Sequence, residues 1–124
     1  MEKKPVKSVN DLTVYSLSYE LALEVFELSK SFPKEELYSL TDQLKRASRS
    51  VPANIREGFA KRRYCNIFRN HLITAIGSCE ETMTWLDFAQ DFSFLQKEKA
   101  ESLKNKYREV GAMLFSMISK WKSY

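Results

Sequence analysis

Between Leu40 and Arg63 the chain reads L-T-D-Q-L-K-R-A-S-R-S-V-P-A-N-I-R-E-G-F-A-K-R-R. Leu40, Leu44, Ala47, Val51, Ile55 and Gly58 recur at steps of three and four, the spacing of one helix face. Pro52 sits inside that run. A proline in a helix interior removes one backbone hydrogen bond and crowds the carbonyl four residues back, here that of Ser48. Two short helices would be one answer to that conflict. The stripe keeps its phase across Pro52, however, which predicts one continuous, kinked helix. A long helix with one apolar face has to be covered by further helices, so this stretch limits the fold more than any other.

The same helix carries two more stripes. Arg49, Arg56 and Arg63 repeat every seven residues, almost opposite the apolar face, and are expected to meet solvent or a ligand. Gln43, Arg46, Ser50, Asn54 and Glu57 form a flank at about a right angle to the core. Members of that flank stand three or four apart, so neighbours can hydrogen-bond along it. A polar ladder beside a core is expected to bond to a neighbouring helix or subunit, because buried polar groups need partners.

The remaining segments supply the cover. From Leu12, the residues Leu12, Tyr15, Tyr19, Ala22 and Phe26, with Leu17, Leu21, Val25 and Leu28 beside them, predict a helix with a broad buried face. Asn10 or Asp11 is its expected cap, and Pro33 ends it near Lys30–Ser31. Pro33–Glu36 suits a first helical turn, and Thr41 offers a second cap. After a basic connection over Lys61–Cys65, a helix from about Asn66 shows the stripe Phe68, Leu72, Ala75, Cys79, Met83 and Leu86. Roughly opposite lie Ile67, Gly77, Glu81, Trp85 and Phe88. A helix apolar on two sides is buried on two sides, which predicts an interface with a second copy at Gly77, Trp85 and Phe88. Asp91–Leu95 reads as a packed turn. A last helix, Gln96 to Trp121, carries Leu103, Tyr107, Val110, Leu114 and Trp121. The expected fold is all-α: a single antiparallel, up-and-down four-helix bundle over residues 11–124, behind a flexible basic N-terminus over 1–10.

Composition removes other classes. Three glycines and three prolines in 124 residues are too few for an all-β domain. No apolar run reaches the roughly 20 residues that span a bilayer, and the opening residues M-E-K-K-P-V-K lack the apolar segment of a signal peptide, so a cytoplasmic protein without a membrane partner is expected. Cys65 and Cys79 lack metal spacing and read as reduced structural residues. His71 is the single histidine, and neither zinc spacing nor a phosphate-binding loop is present. Glu57 and Glu81 could meet across two helices as a carboxylate pair, but the Glu-x-x-His motifs of di-iron bundles are missing. No catalytic residue, metal or cofactor is therefore expected. Charge is the remaining signal. Residues 45–69 hold eight cations against Glu57 alone, a net +7 in a chain whose total is +4. Such a segment attracts polyanions. Arg49, Arg56, Lys61, Arg62 and Arg63 are the candidate nucleic-acid contacts, with RNA or DNA as the expected partner and phosphate contacts dominating.

The segments F-P-K-E-E (32–36), L-T-D-Q-L-K-R-A-S-R-S-V-P-A-N-I-R-E-G (40–58) and A-I-G-S-C-E-E-T (75–82) resemble the four-helix-bundle proteins encoded in intervening sequences of bacterial 23S rRNA genes. The resemblance covers roughly residues 11–121 and implies an antiparallel four-helix bundle in a ring-like homopentamer. It supplies no catalytic residue. It implies that Gln43, Arg46, Ser50, Asn54, Glu57 and Glu81 form a structural polar network near subunit contacts. A more distant resemblance, to accessory variability proteins of diversity-generating retroelements, implies association with nucleic acid or with a nucleic-acid enzyme. A protein-interaction scaffold serving such an enzyme is thus the alternative reading. The chain departs from the family pattern after Gly58: the connection Phe59–Cys65 lacks the glycine and the serine or threonine that commonly punctuate it.

Overall fold

The helix that carries Pro52 is unbroken. In the computed structural model, which describes residues 6–121, α2 runs from Leu40 to Ala60 with Pro52 inside it. It follows α1 (Thr13–Ser29) and precedes α3 (Cys65–Asp91) and α4 (Lys97–Lys120). Short 3-10 turns over Val9–Asp11 and Lys34–Glu36 complete the described residues, which contain no strand. Each helix packs against the next in sequence, and α1 closes the bundle against α4. Short links between such neighbours make them antiparallel.

All six stripe residues of α2 are buried, and so are Phe68, Leu72, Ala75, Cys79, Met83 and Leu86 of α3. On α4, Leu103, Tyr107, Val110 and Leu114 are buried, with Ala100 added. At one end of the bundle Phe59, Phe68 and Trp121 meet edge to face, at centroid distances of 6.4, 6.3 and 4.7 Å. Such pairs add to the burial of their rings.

The buried face of α1 differs from the expected one. It consists of Val14, Ser18, Leu21, Val25 and Ser29. Tyr19 and Phe26 stay 50% and 37% exposed. Ser18 and Ser29 disguise this face in the sequence, yet each satisfies its own hydroxyl by donating to a carbonyl three residues back, at 3.0 and 2.8 Å. A serine bonded in this way costs little to bury.

The helix starts also differ. Asp11 does not cap α1. Its carboxylate accepts from the Ser8 and Lys7 amides at 3.1 and 2.9 Å and closes the preceding 3-10 turn. With Val9 buried, the chain is tied down from about residue 6. Residues 1–5 of the expected flexible N-terminus lie outside the described residues, as do 122–124. Thr41 is buried in α2 rather than capping it, and Glu36 takes that place, accepting from Ser39 Oγ at 2.6 Å and from the Leu40 amide at 3.3 Å.

Two positions fix how closely the helices approach and turn. A Cβ on Gly58 would lie 2.6 Å from His71 Cβ and 3.0 Å from Phe68 Cδ1, so α3 rests directly on the α2 backbone there. At the end of α3, Ser93 adopts φ 66°. The Phe94 amide donates to Ala89 O at 2.8 Å and the Ser93 amide to Gln90 O at 2.9 Å, the bond pair of a Schellman stop that usually employs glycine. We expect Gly58→Ala to lower the unfolding free energy in urea by about 1–3 kcal/mol, because the neighbouring helix has to move. Ser93→Gly should raise it by roughly 1 kcal/mol by removing a left-handed non-glycine residue. Equal effects of the two substitutions would contradict this placement of strain.

Candidate nucleic-acid interface

The core face of α2 points its opposite face outward. Arg49 and Arg56 stand there, exposed and two turns apart, about 10.5 Å along the axis. Beside them runs the flank of α1 that its true core stripe turns toward α2. Tyr15, Tyr19 and Phe26 therefore line an open groove between α1 and α2, with a volume of about 740 Å³ and a floor that includes Pro52 and Ala53. Among the described residues Glu57 is the only carboxylate lining it. Arg56 Nη1 donates to the Tyr15 hydroxyl at 3.5 Å, and the rings of Tyr15 and Tyr19 lie 6.0 Å apart. Phe26 has cations above it: Lys30 at 4.9 Å, Lys45 at 5.6 Å and Arg49 at 6.0 Å from the ring centroid. The groove is thus apolar and aromatic inside and cationic along its rim.

The three basic residues after α2 are not alike. Their turn is closed by the Lys61, Arg62 and Tyr64 amides, which donate to Gly58, Phe59 and Lys61 carbonyls at 2.9, 3.2 and 2.9 Å. Lys61 Nζ lies 3.3 Å from His71 Nε2. Arg62 folds back over the Phe59 ring at 4.0 Å and donates to Phe59 O at 3.0 Å. Arg63 is exposed and points no bond at the described residues. Arg62 is therefore committed to its own helix end, whereas Arg49, Arg56 and Arg63 face outward.

The polar flank of α2 faces α3, and the seam holds residues from both helices. Ser78 Oγ donates to Ser50 Oγ at 2.8 Å, and Asn54 Nδ2 donates to the same oxygen at 3.0 Å. Asn54 Oδ1 lies 3.2 Å from His71 Nδ1. Glu57 sits 3.8 Å from that nitrogen while remaining largely exposed. Of the expected network, the structure gathers Ser50, Asn54 and the edge of Glu57, and it adds His71, Ser78 and Lys61. Arg46 pairs instead with Asp42, at 3.0 Å on the surface. Gln43 and Glu81 are exposed in the single subunit. Register also separates Glu57 from Glu81. Ser50 is level with Ser78, and Gly58 with His71, so Glu81 is level with Ala47, about 15 Å along the axis from Glu57. The two do not form a carboxylate pair.

At the C-terminal end of α3 an aromatic patch lies exposed among polar residues. Phe88 is 44% and Phe92 51% exposed. Their rings stack in series with half-buried Trp85, at 5.8 and 5.7 Å. The Trp85 indole nitrogen is buried without a hydrogen-bond partner. Nothing lies within 4 Å of a Cβ built on Gly77, so within the subunit this glycine permits no close approach.

Among the described residues no three His, Cys, Asp or Glu gather as metal ligands, and no helix is long and apolar enough to cross a membrane. Cys79 lies in the core. Burial, with a smaller contribution from Glu80, pushes its thiol up to about 12. Burial likewise raises the Tyr107 phenol above its ordinary value, helped by Cys79 and Glu24.

The profile of the 23S rRNA-intervening sequence protein family matches residues 10–116, from the first turn through most of α4. The chain belongs to this family. It is also similar to a protein of unknown function from the S23 ribosomal protein family of Bacteroides thetaiotaomicron VPI-5482. That crystal structure aligns with a TM-score of 0.79 at 28% identity, covering 87% of this chain and 100% of the other. No curated protein matches. The family match contains both walls of the α1–α2 groove and the whole α2–α3 seam.

The thiol chemistry is testable. Because the folded state keeps the proton on Cys79 above the ordinary thiol value of 9.0, the unfolded state alone ionises as pH rises past 9, and stability should fall from there upward. At pH 8 an alkylating reagent should modify half-buried Cys65 and spare Cys79 until denaturant is added. Rapid alkylation of both in the native protein would contradict the core position of Cys79.

Proposed function

We propose that this protein is a non-enzymatic, self-associating helical bundle that binds nucleic acid, RNA foremost, through the outward face of α2 and the adjoining α1 wall. The observation that carries this reading is the pair Arg49 and Arg56 on a groove whose lining holds a single carboxylate, with Lys45 over the Phe26 ring beside it. Cations on a rigid helix face fit phosphate spacing without needing a shaped pocket. Each contact releases counterions and is weak alone. Repetition around an assembly makes such contacts add, since linked sites act at high effective concentration. A ring of five is the assembly that the family resemblance implies. The uncovered Trp85, Phe88 and Phe92 surface supports self-association, because aromatic clusters of this kind anchor interfaces.

Fluorescence anisotropy with a short labelled RNA tests the binding. Replacing Arg49, Arg56 and Arg63 by alanine together should weaken binding more than tenfold and lower the salt slope by about two for a single strand. Affinity that is insensitive to salt, or that survives the triple substitution, would overturn the reading. Light scattering at micromolar concentration tests the assembly separately. A multiple of the 14.5 kDa chain mass is expected, and Trp85→Ala combined with Phe88→Ala should shift it toward the monomer.

A further inference from the structure

We propose that the α1–α2 groove takes unpaired nucleobases, so that the ligand of this face is single-stranded nucleic acid rather than a duplex. The inference rests on the nucleic-acid reading above and deepens it. A surface that met only phosphates would need arginines and little else. Here the space between the cations is instead walled by rings. Tyr19 is 50% and Phe26 37% exposed, although both sit on a helix that buries serines in its core. Exposed aromatics beside arginines form the arrangement on which single strands stack, since every base has a π-face and stacking tolerates any sequence. A duplex hides those faces inside its own stack.

The spacing agrees with two such stations. Tyr15 and Tyr19 stand beside Arg56, which bonds to Tyr15, and Phe26 stands beside Arg49. Tyr19 and Phe26 are seven residues apart, about 10.5 Å along α1, as Arg49 and Arg56 are along α2. That distance is about three nucleotides at stacked spacing. A volume of about 740 Å³ lies in the range of sites that enclose an organic ligand of a few rings. Charge and rings together select the occupant, because a single strand carries an anionic phosphate and a planar base on every unit, matching cations and aromatic faces that alternate along the groove.

The test compares three probes of equal length on the full protein: oligoadenylate, the same sugar-phosphate chain without bases, and a duplex. Oligoadenylate should bind about tenfold more tightly than the abasic chain and than the duplex. That advantage should persist as salt rises, because stacking is not screened. Tyr19→Leu, which keeps an apolar side chain in place, should cut the preference for oligoadenylate over the abasic chain severalfold with the circular dichroism of the wild type, and Phe26→Leu should add to that loss. If the abasic chain binds as well as oligoadenylate, and both respond to Arg49→Ala and Arg56→Ala, this inference fails while the phosphate-binding reading stands. If no probe binds, both fail. If Tyr19→Leu lowers the assembly mass, a second copy covers the groove and the inference is overturned.

Discussion

The contact between α2 and α3 at Gly58 sets the rest of the molecule. With no Cβ on Gly58, His71 and Phe68 rest on the α2 backbone. That closeness brings Ser50 within 2.8 Å of Ser78 and Asn54 within 3.2 Å of His71. Two helices joined by a hydrogen-bonded polar seam resist sliding and rotation, because each slip would leave partly buried polar atoms unpaired. The seam therefore fixes the rotation of α2. Once it is fixed, Val51 and Ile55 face the core and Arg49 and Arg56 face outward. The basic surface is a consequence of how α2 is held from the opposite side.

Pro52 belongs to the same constraint. A proline at this point gives up one backbone hydrogen bond, yet α2 continues through it. Tertiary packing compensates: Val51 and Pro52 are both buried, and Phe59 closes the end of the helix against Phe68 and Trp121. The ring of Pro52 meets the α1–α2 groove without presenting an N–H donor. Of the described residues that line the groove, Arg49, Arg56 and Glu57 carry charge and the rest are apolar or aromatic.

Much of this was legible in the chain itself. The stripes of α2, α3 and α4 were readable because their buried positions are nearly all apolar. α1 misled, because Ser18 and Ser29 occupy core positions while Tyr19 and Phe26 do not. Aromatic residues at helical spacing resemble a core, and only a neighbour's position shows that they border a groove. The seam was half readable. Ser50 and Asn54 are four apart on one helix, a local pattern, whereas His71 and Ser78 approach from α3, 17 and 28 residues away from their partners. Nothing in α2 announces them. The contact of Arg62 with the Phe59 ring was not readable from the basic run after Gly58, since it depends on the turn that follows the helix. Conversely, the polarity of α1's core face, with two serines among valines and leucine, goes with an aromatic flank that the bundle leaves exposed.

We propose that α1 and α2 together present one nucleic-acid surface, held from the other side of α2 by α3. Ultraviolet cross-linking of the full protein to a short RNA, read by mass spectrometry, tests it most directly. The account predicts adducts on Tyr15, Tyr19 and Phe26 and on peptides spanning residues 45–63. Adducts confined to α3 and α4, or equal in amount when Arg49 and Arg56 are replaced, would contradict it.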